Sequence, residues 1–206
     1  MLVQRSGTRL SYQGSDADEV ADILTRCTVP VRVQRPWNKD FSYSYEFVAA
    51  GSAAFSRVNC QGELSIGQRN EEPKFLILFP LQGATTIKVG KQSLISEPGK
   101  ATILDGTRLS EMRFEESRSH YSFFVDQGDI IRHVSSMLER PVDGSLDFAP
   151  DFNLETGSGQ IIFRLAQILA KSVGDDAAMH DMPQTLSYLS KSLINLLVET
   201  VPHRFS

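Results

Sequence analysis

Residues Phe75-Leu-Ile-Leu-Phe79 are apolar without interruption. A strand with one wet face alternates apolar and polar side chains, so a continuous run predicts a strand covered on both faces. Such a strand belongs in the middle of a barrel or sandwich. Its own register cannot be read, because alternate residues are equally apolar.

Its neighbours read the same way. Phe41-Ser-Tyr-Ser-Tyr-Glu-Phe47 alternates aromatic and polar residues at period two. Ala53 to Cys60 is a second candidate strand, ended by Gln61-Gly62. After the apolar run come Ala84 to Val89, a turn at Gly90-Lys91, Ser93 to Ser96, a Pro98-Gly99 turn and Ala101 to Leu104. Asp105-Gly106 makes another turn before Glu111 to Phe114 and His120 to Val125. Short strands at this spacing, punctuated by glycine turns, predict an all-β barrel or jelly roll.

Helical periodicity brackets this region. Ser15-Asp16-Ala17-Asp18 has the pattern of a capping box, with Val20, Ile23 and Leu24 following at helical spacing before Pro30. Beyond the strands, Ile130, Ile131, Val134, Met137 and Leu138 share a face that ends at Pro141. Ser158 is a candidate cap for a helix carrying Ile161, Ile162, Leu165, Ile168 and Leu169. Gly174 ends that helix, and Pro183 suits the first turn of a last one bearing Leu186, Leu189, Leu193, Leu196 and Leu197. The fold class is mixed α+β: a short N-terminal helix, a β-barrel and C-terminal helices.

The chain's 206 residues suffice for a sizeable core. A net charge of −4 gives no basic stripe for gripping duplex DNA, so these residues are a poor candidate for contacting it. Cys27 and Cys60 form no C-x-x-C pair and read as buried, reduced thiols. No apolar run approaches the roughly 20 residues of a membrane span. Residues Met1 to Gly14 lack the apolar core of a secretory signal, which makes the cytoplasm the default.

The order of these elements resembles the N-terminal regulatory domain of AraC/XylS-family transcription regulators. The resemblance is carried by Phe75-Leu-Ile-Leu-Phe-Pro-Leu-Gln-Gly83, then Gly90-Lys91, Pro98-Gly99-Lys-Ala-Thr-Ile-Leu104, the Asp105-Gly106 turn and Met112-Arg-Phe114. It continues through Gly128 to Pro141 and the two final helices. Lys100 stands where the family has an Asp after Pro-Gly, and Asp105-Gly106-Thr107 replaces a proline-containing loop. The resemblance implies a cupin-like barrel over residues 1–126, which binds a small-molecule effector. It implies a helical element over residues 127–206, through which two copies pair as a homodimer. The family's DNA-reading half, with its helix-turn-helix units, lies C-terminal to the sensor, and Ser206 leaves no room for one, so a truncated regulator is expected.

The resemblance also implies site residues. Arg69 falls near the sugar-binding arginine of the arabinose-responsive member, Met112 where that member has an aromatic, and His120 where it has a pocket histidine. On the same strand parity, Ser122 and Phe124 face inward with His120. Met in place of an aromatic points to a hydrophobic or aromatic acid, as in benzoate-responsive relatives, rather than a sugar. Leu186, Leu189, Leu193, Leu196 and Leu197 are expected at the dimer interface, with Lys191, Asn195 and Glu199 as its rim; the alternative is that this stripe packs on the barrel.

The competing reading is a stand-alone cupin metalloenzyme, an isomerase or dioxygenase. Its site needs clustered His and acid ligands. Of His120, His133, His180 and His203, only His120 falls on a predicted barrel strand, and Gly83 to Lys88 carries no ligand. Gly-x-Ser-x-Gly and glycine-rich phosphate loops do not occur. No cofactor, metal or catalytic residue is expected.

Overall fold

A computed structural model describes residues 8–34, 40–68, 73–173 and 182–206. Two antiparallel sheets face each other as a jelly roll. The larger is assembled from β1 (Arg9–Gly14), β3 (Ser42–Ala50), β4 (Ala53–Gln61), β6 (Lys74–Gln82), β9 (Lys100–Asp105), β11 (Arg118–Asp126) and β12 (Asp151–Asn153). Its seven strands run in the order β1-β3-β4-β11-β6-β9-β12. The smaller contains β2 (Val31–Gln34), β5 (Leu64–Gln68), β7 (Thr85–Val89), β8 (Gln92–Ser96) and β10 (Leu109–Phe114), in the order β2-β5-β10-β7-β8.

Helix α1 (Ala17–Cys27) lies against the space between the sheets. Helices α2 (Gln127–Met137), α3 (Gly157–Ala170) and α4 (Pro183–Thr200) cover the outer face of the larger sheet. That sheet is therefore covered on both sides, which is what the apolar run of β6 requires. Phe75, Ile77 and Phe79 pack toward the helices, while Leu76 and Leu78 pack toward the other sheet. Strand β11 divides in the same way. Phe123 and Val125 are core residues under the helices, at 0% and 1% exposed, whereas His120, Ser122 and Phe124 face between the sheets.

Four strands carry no expectation from the sequence: β1, β2, β5 and β12. Each is short or at an edge. β2 and β12 have four and three residues, and β1 and β8 end the other edges of their sheets. Two helix caps also differ from expectation. Asp16, not Ser15, caps α1, its carboxylate accepting from the Asp18 N–H at 2.9 Å. Helix α3 starts at Gly157 with Thr156 in the capping position, so Ser158 is already inside it. The last helix begins at Pro183 as expected. The Gly174 helix stop lies outside the described residues.

The leucine stripe of α4 packs on its own chain. Leu186, Leu193 and Leu197 are at most 1% exposed, and Leu189 and Leu196 pack partly buried against the same core. On α3, Ile162, Ala166 and Leu169 are buried, while Ile161 and Ile168 are 56% and 45% exposed. Tyr188 of α4 is 67% exposed. No described helix is long and apolar enough to cross a membrane.

Candidate functional site

The space between the sheets is not completely filled. It holds a cavity with about 80 Å3 of room for the centres of water-sized atoms, where one water needs about 10–15 Å3 on the same measure. The larger sheet supplies Tyr43 and Tyr45 from β3, Ser56, Val58 and Cys60 from β4, Leu76 and Leu78 from β6, and His120, Ser122 and Phe124 from β11. Opposite them stand Leu64 and Ile66 of β5 and Met112 of β10. Val20, Ile23 and Leu24 of α1 close one side.

Register explains why these side chains converge. Ser122 lies opposite Ser56 on one neighbour and Leu78 on the other, and Phe124 opposite Ala54 and Leu76. His120 lies opposite Val58 and Pro80. The ladder between β6 and β11 shifts register between Ser119 and His120. Pro80 cannot donate to a regular ladder, and a bulge is where a sheet tolerates it. Beyond it, Gly83 turns the chain with φ +73°. A Cβ there would collide with the Ser117 carbonyl oxygen and lie 3.2 Å from the Arg118 Cα, so the β6–β7 turn presses on the start of β11.

The structure brings Met112, His120, Ser122 and Phe124 together around this cavity. Arg69 lies outside the described residues. The sequence reading missed Tyr45, Ser56 and Arg118. The alternation of Phe41 to Phe47 had placed Tyr45 on one face, but nothing local said which face is inward. Arg118 sits two residues before His120, in a run of polar residues that reads as a turn.

Behind His120, and not itself among the residues that line the cavity, lies Arg118. It is only 2% exposed, yet no carboxylate of the described residues pairs with it. Its Nε–H donates to His120 Nδ1 at 3.1 Å and its Nη1 donates to the Ser96 carbonyl at 3.2 Å; Nη2 has no partner. Burial pushes the guanidinium down to about 10, which leaves it charged at neutral pH. His120 is 5% exposed. Burial, reinforced by the neighbouring Arg118 charge, holds its imidazole well below the usual range, so the ring is neutral. Because Nδ1 accepts from Arg118, the proton of the neutral ring resides on Nε2.

Within the cavity wall itself there are unpaired polar atoms too. The Tyr45 hydroxyl lies close to that of Ser56, but the two do not meet in hydrogen-bond geometry, and neither has another partner. Cys60 is buried, and burial pushes its thiol up to about 12, so it is an inert wall residue rather than a nucleophile. Among the described residues, no group of three or more His, Cys, Asp or Glu side chains is placed to hold a metal ion. An apolar chamber with a few convergent polar groups is the ordinary form of a small-molecule site.

Comparison with known proteins agrees with this architecture. The AraC-binding-like domain family matches residues 20–197. Among solved structures, the AraC-like transcriptional activator CuxR superposes with a TM-score of 0.65 at 9% identity, covering 95% of this chain and 72% of that one. At that identity the likeness is one of fold. A predicted oxalate decarboxylase from Thermotoga maritima has a TM-score of 0.40 at 13% identity, covering 61% of this chain and 99% of that one. A putative glyoxylate-induced protein from Pseudomonas aeruginosa also reaches 0.40 at 13% identity, covering 54% and 41%. No curated protein matches this chain in sequence. The fold is a cupin-like jelly roll with added helices, and the chain belongs to the AraC-binding-like domain family.

Proposed function

We propose that this domain is the sensor of an AraC-type transcription regulator, taking up a small-molecule effector between its sheets and acting without catalysis. The observation that carries this reading is the double-sided wall. On β11, His120, Ser122 and Phe124 face the cavity, and Phe123 and Val125, interleaved with them, are core residues beneath the helices. A ligand that moves this strand by a fraction of an ångström disturbs both layers, because packed cores shift between discrete arrangements. The helical layer then reports the bound state.

Pairing of two copies through that layer would convert the report into a change in DNA binding by helix-turn-helix domains outside these residues. The exposed Ile161, Ile168 and Tyr188 are the apolar side chains available to such a pairing, with Lys191, Asn195 and Glu199 beside them. Effector affinity must differ between the two arrangements for any switch to occur.

A thermal-shift screen of neutral and charged metabolites tests the reading, run on wild type and on a Ser122→Leu variant that fills the cavity. Compounds should raise the melting temperature of the wild type and lose that effect in the variant. Hits that stabilise both proteins equally would place binding elsewhere and contradict the proposal. Sedimentation with and without a hit then tests pairing.

A further inference from the structure

Two neighbouring oxygens in the cavity wall, Tyr45 Oη and Ser56 Oγ, are shut off from water without a partner. Their residues are 4% and 0% exposed, and both side chains line the cavity. The β3–β4 ladder sets them side by side on the inward face of the larger sheet, with Tyr45 opposite Val58 and Ser56 two residues away opposite Phe47. Other polar side chains of the wall are engaged. Thr28 Oγ1 donates to the Leu24 carbonyl, Gln68 Nε2 donates to the Gly106 carbonyl, and Tyr43 Oη lies beside the Glu19 carboxylate. A hydroxyl can both donate and accept, and within the fold these two do neither.

The wall is also without charge. Among the described residues that line the cavity, none is Asp, Glu, Lys or Arg. His120 is held neutral by burial and by the Arg118 charge. Arg118 stands behind the ring with its Nε–H on Nδ1, and it presents the cavity with no donor of its own. Leu64, Ile66 and Met112 make the opposite wall apolar. An ion entering such a chamber would exchange its hydration for hydrocarbon, which costs far more than burying a neutral oxygen that finds a hydrogen bond. The space admits about five to eight water-sized atoms.

We propose that the cavity selects an uncharged guest of that size, a hydrocarbon body bearing one hydroxyl or carbonyl oxygen, and that Tyr45 and Ser56 hold the oxygen. A guest carbonyl accepts from both side chains, and a guest hydroxyl accepts from one and donates to the other. Tyr45 Oη is set in place by its ring, which stacks on Phe47. Ser56 turns its Oγ between staggered rotamers without moving β4. The class departs from the acid that the family resemblance implies, because it follows from the atoms of the wall. The proposal rests on the reading of the cavity as the effector pocket and narrows it.

The test is isothermal titration of the wild-type chain with two pairs of matched shape. Phenol against toluene tests the oxygen, and pinacolone against pivalate tests the charge. Phenol should bind about tenfold tighter than toluene, the margin of one or two neutral hydrogen bonds, and pinacolone at least about tenfold tighter than pivalate. In a Tyr45→Phe/Ser56→Ala double variant phenol should fall to the level of toluene, while toluene stays within a few-fold. Equal losses for both would overturn the proposal, because the hydroxyls would then only shape the cavity. Should the double variant fail to fold, Tyr45→Phe alone should remove part of the margin of phenol over toluene. Phenol and toluene binding the wild type equally, or pivalate binding as tightly as pinacolone, would overturn the guest class while leaving the cavity as an effector pocket. Failure of both phenol and pinacolone to bind would overturn it as well, and the wider metabolite screen would decide separately whether the cavity takes any ligand.

Discussion

Replacing Tyr45 with phenylalanine separates polar atoms that serve the fold from polar atoms that serve a guest. Tyr45 is 4% exposed, and its hydroxyl has no hydrogen-bond partner. Where a buried hydroxyl is bonded, deleting it costs about 1 kcal/mol. Here no bond is lost, and the desolvation penalty of an unpaired group, about 1–3 kcal/mol, is relieved. The ring keeps its stacking on Phe47, with centroids 6.5 Å apart. The nearby Ser56 hydroxyl offsets part of the penalty, so the gain should sit at the low end, about 1 kcal/mol. For a chain of this size that raises Tm by about 2–4 °C. Thermal melting followed by circular dichroism reads this directly, and urea unfolding with an unchanged slope confirms that only stability moved. A fall in Tm of the same size would refute the reasoning, because the hydroxyl would then be satisfied within the fold.

Gly159→Ala should destabilise by about 2 kcal/mol or more, although alanine is favoured in a helix by about 1 kcal/mol. A Cβ there would collide with the Asn153 carbonyl oxygen, lie 2.9 Å from its carbon and 3.5 Å from the Leu154 Cα, and urea denaturation would show the loss. Leu193→Ala, at a 0% exposed position under the larger sheet, should cost about 2–5 kcal/mol, whereas Tyr188→Ala on the outer face of α4 should stay within about 0.5 kcal/mol. Denaturation of both at one low protein concentration checks the contrast. His120 contributes a pH dependence of known sign. The unfolded chain takes up a proton near 6.5, while the folded imidazole does so only well below that value. Stability should therefore fall as pH drops below about 6.5, and His120→Gln should flatten that slope in melting curves recorded across the range.

Much of the architecture was legible from periodicity, because strong patterns survive without context. The alternation of residues 41 to 47, the solid apolar run of 75 to 79 and the glycine turns located eight strands, six of them to within two residues at both ends, while β3 and β6 run three residues further, to Ala50 and Gln82. Strands β2 and β12 were not legible because segments of four and three residues carry no period of their own, and they exist as additions to edges already formed. Leu64-Ser-Ile-Gly-Gln68 loses its pattern at Gly67. The direction in which β6 faces needed the tertiary structure. Only the helices packed on one side decide that Phe75, Ile77 and Phe79 turn away from the cavity.

The site shows the same division. His120, Ser122 and Phe124 followed from strand parity once His120 was placed inward. Arg118 obeys the same parity, but Glu-Glu-Ser-Arg-Ser reads as a solvated turn. Its guanidinium instead turns inward and donates to the carbonyl of Ser96 at the end of β8, a contact between residues far apart in sequence. The α4 leucines show the limit of a stripe. Helical spacing identifies an apolar face, and only packing reveals that Leu186, Leu193 and Leu197 are spent on the chain's own sheet.

The most direct measurement is methyl NMR of the chain titrated with a stabilising compound from the metabolite screen. The cavity methyls of Leu76, Leu78 and Met112 should shift first, and those of Leu193 and Ile194, in the helical layer beyond the sheet, should shift with the same binding curve. Shifts confined to surface methyls, with the cavity methyls unmoved at saturation, would contradict an effector site between the sheets.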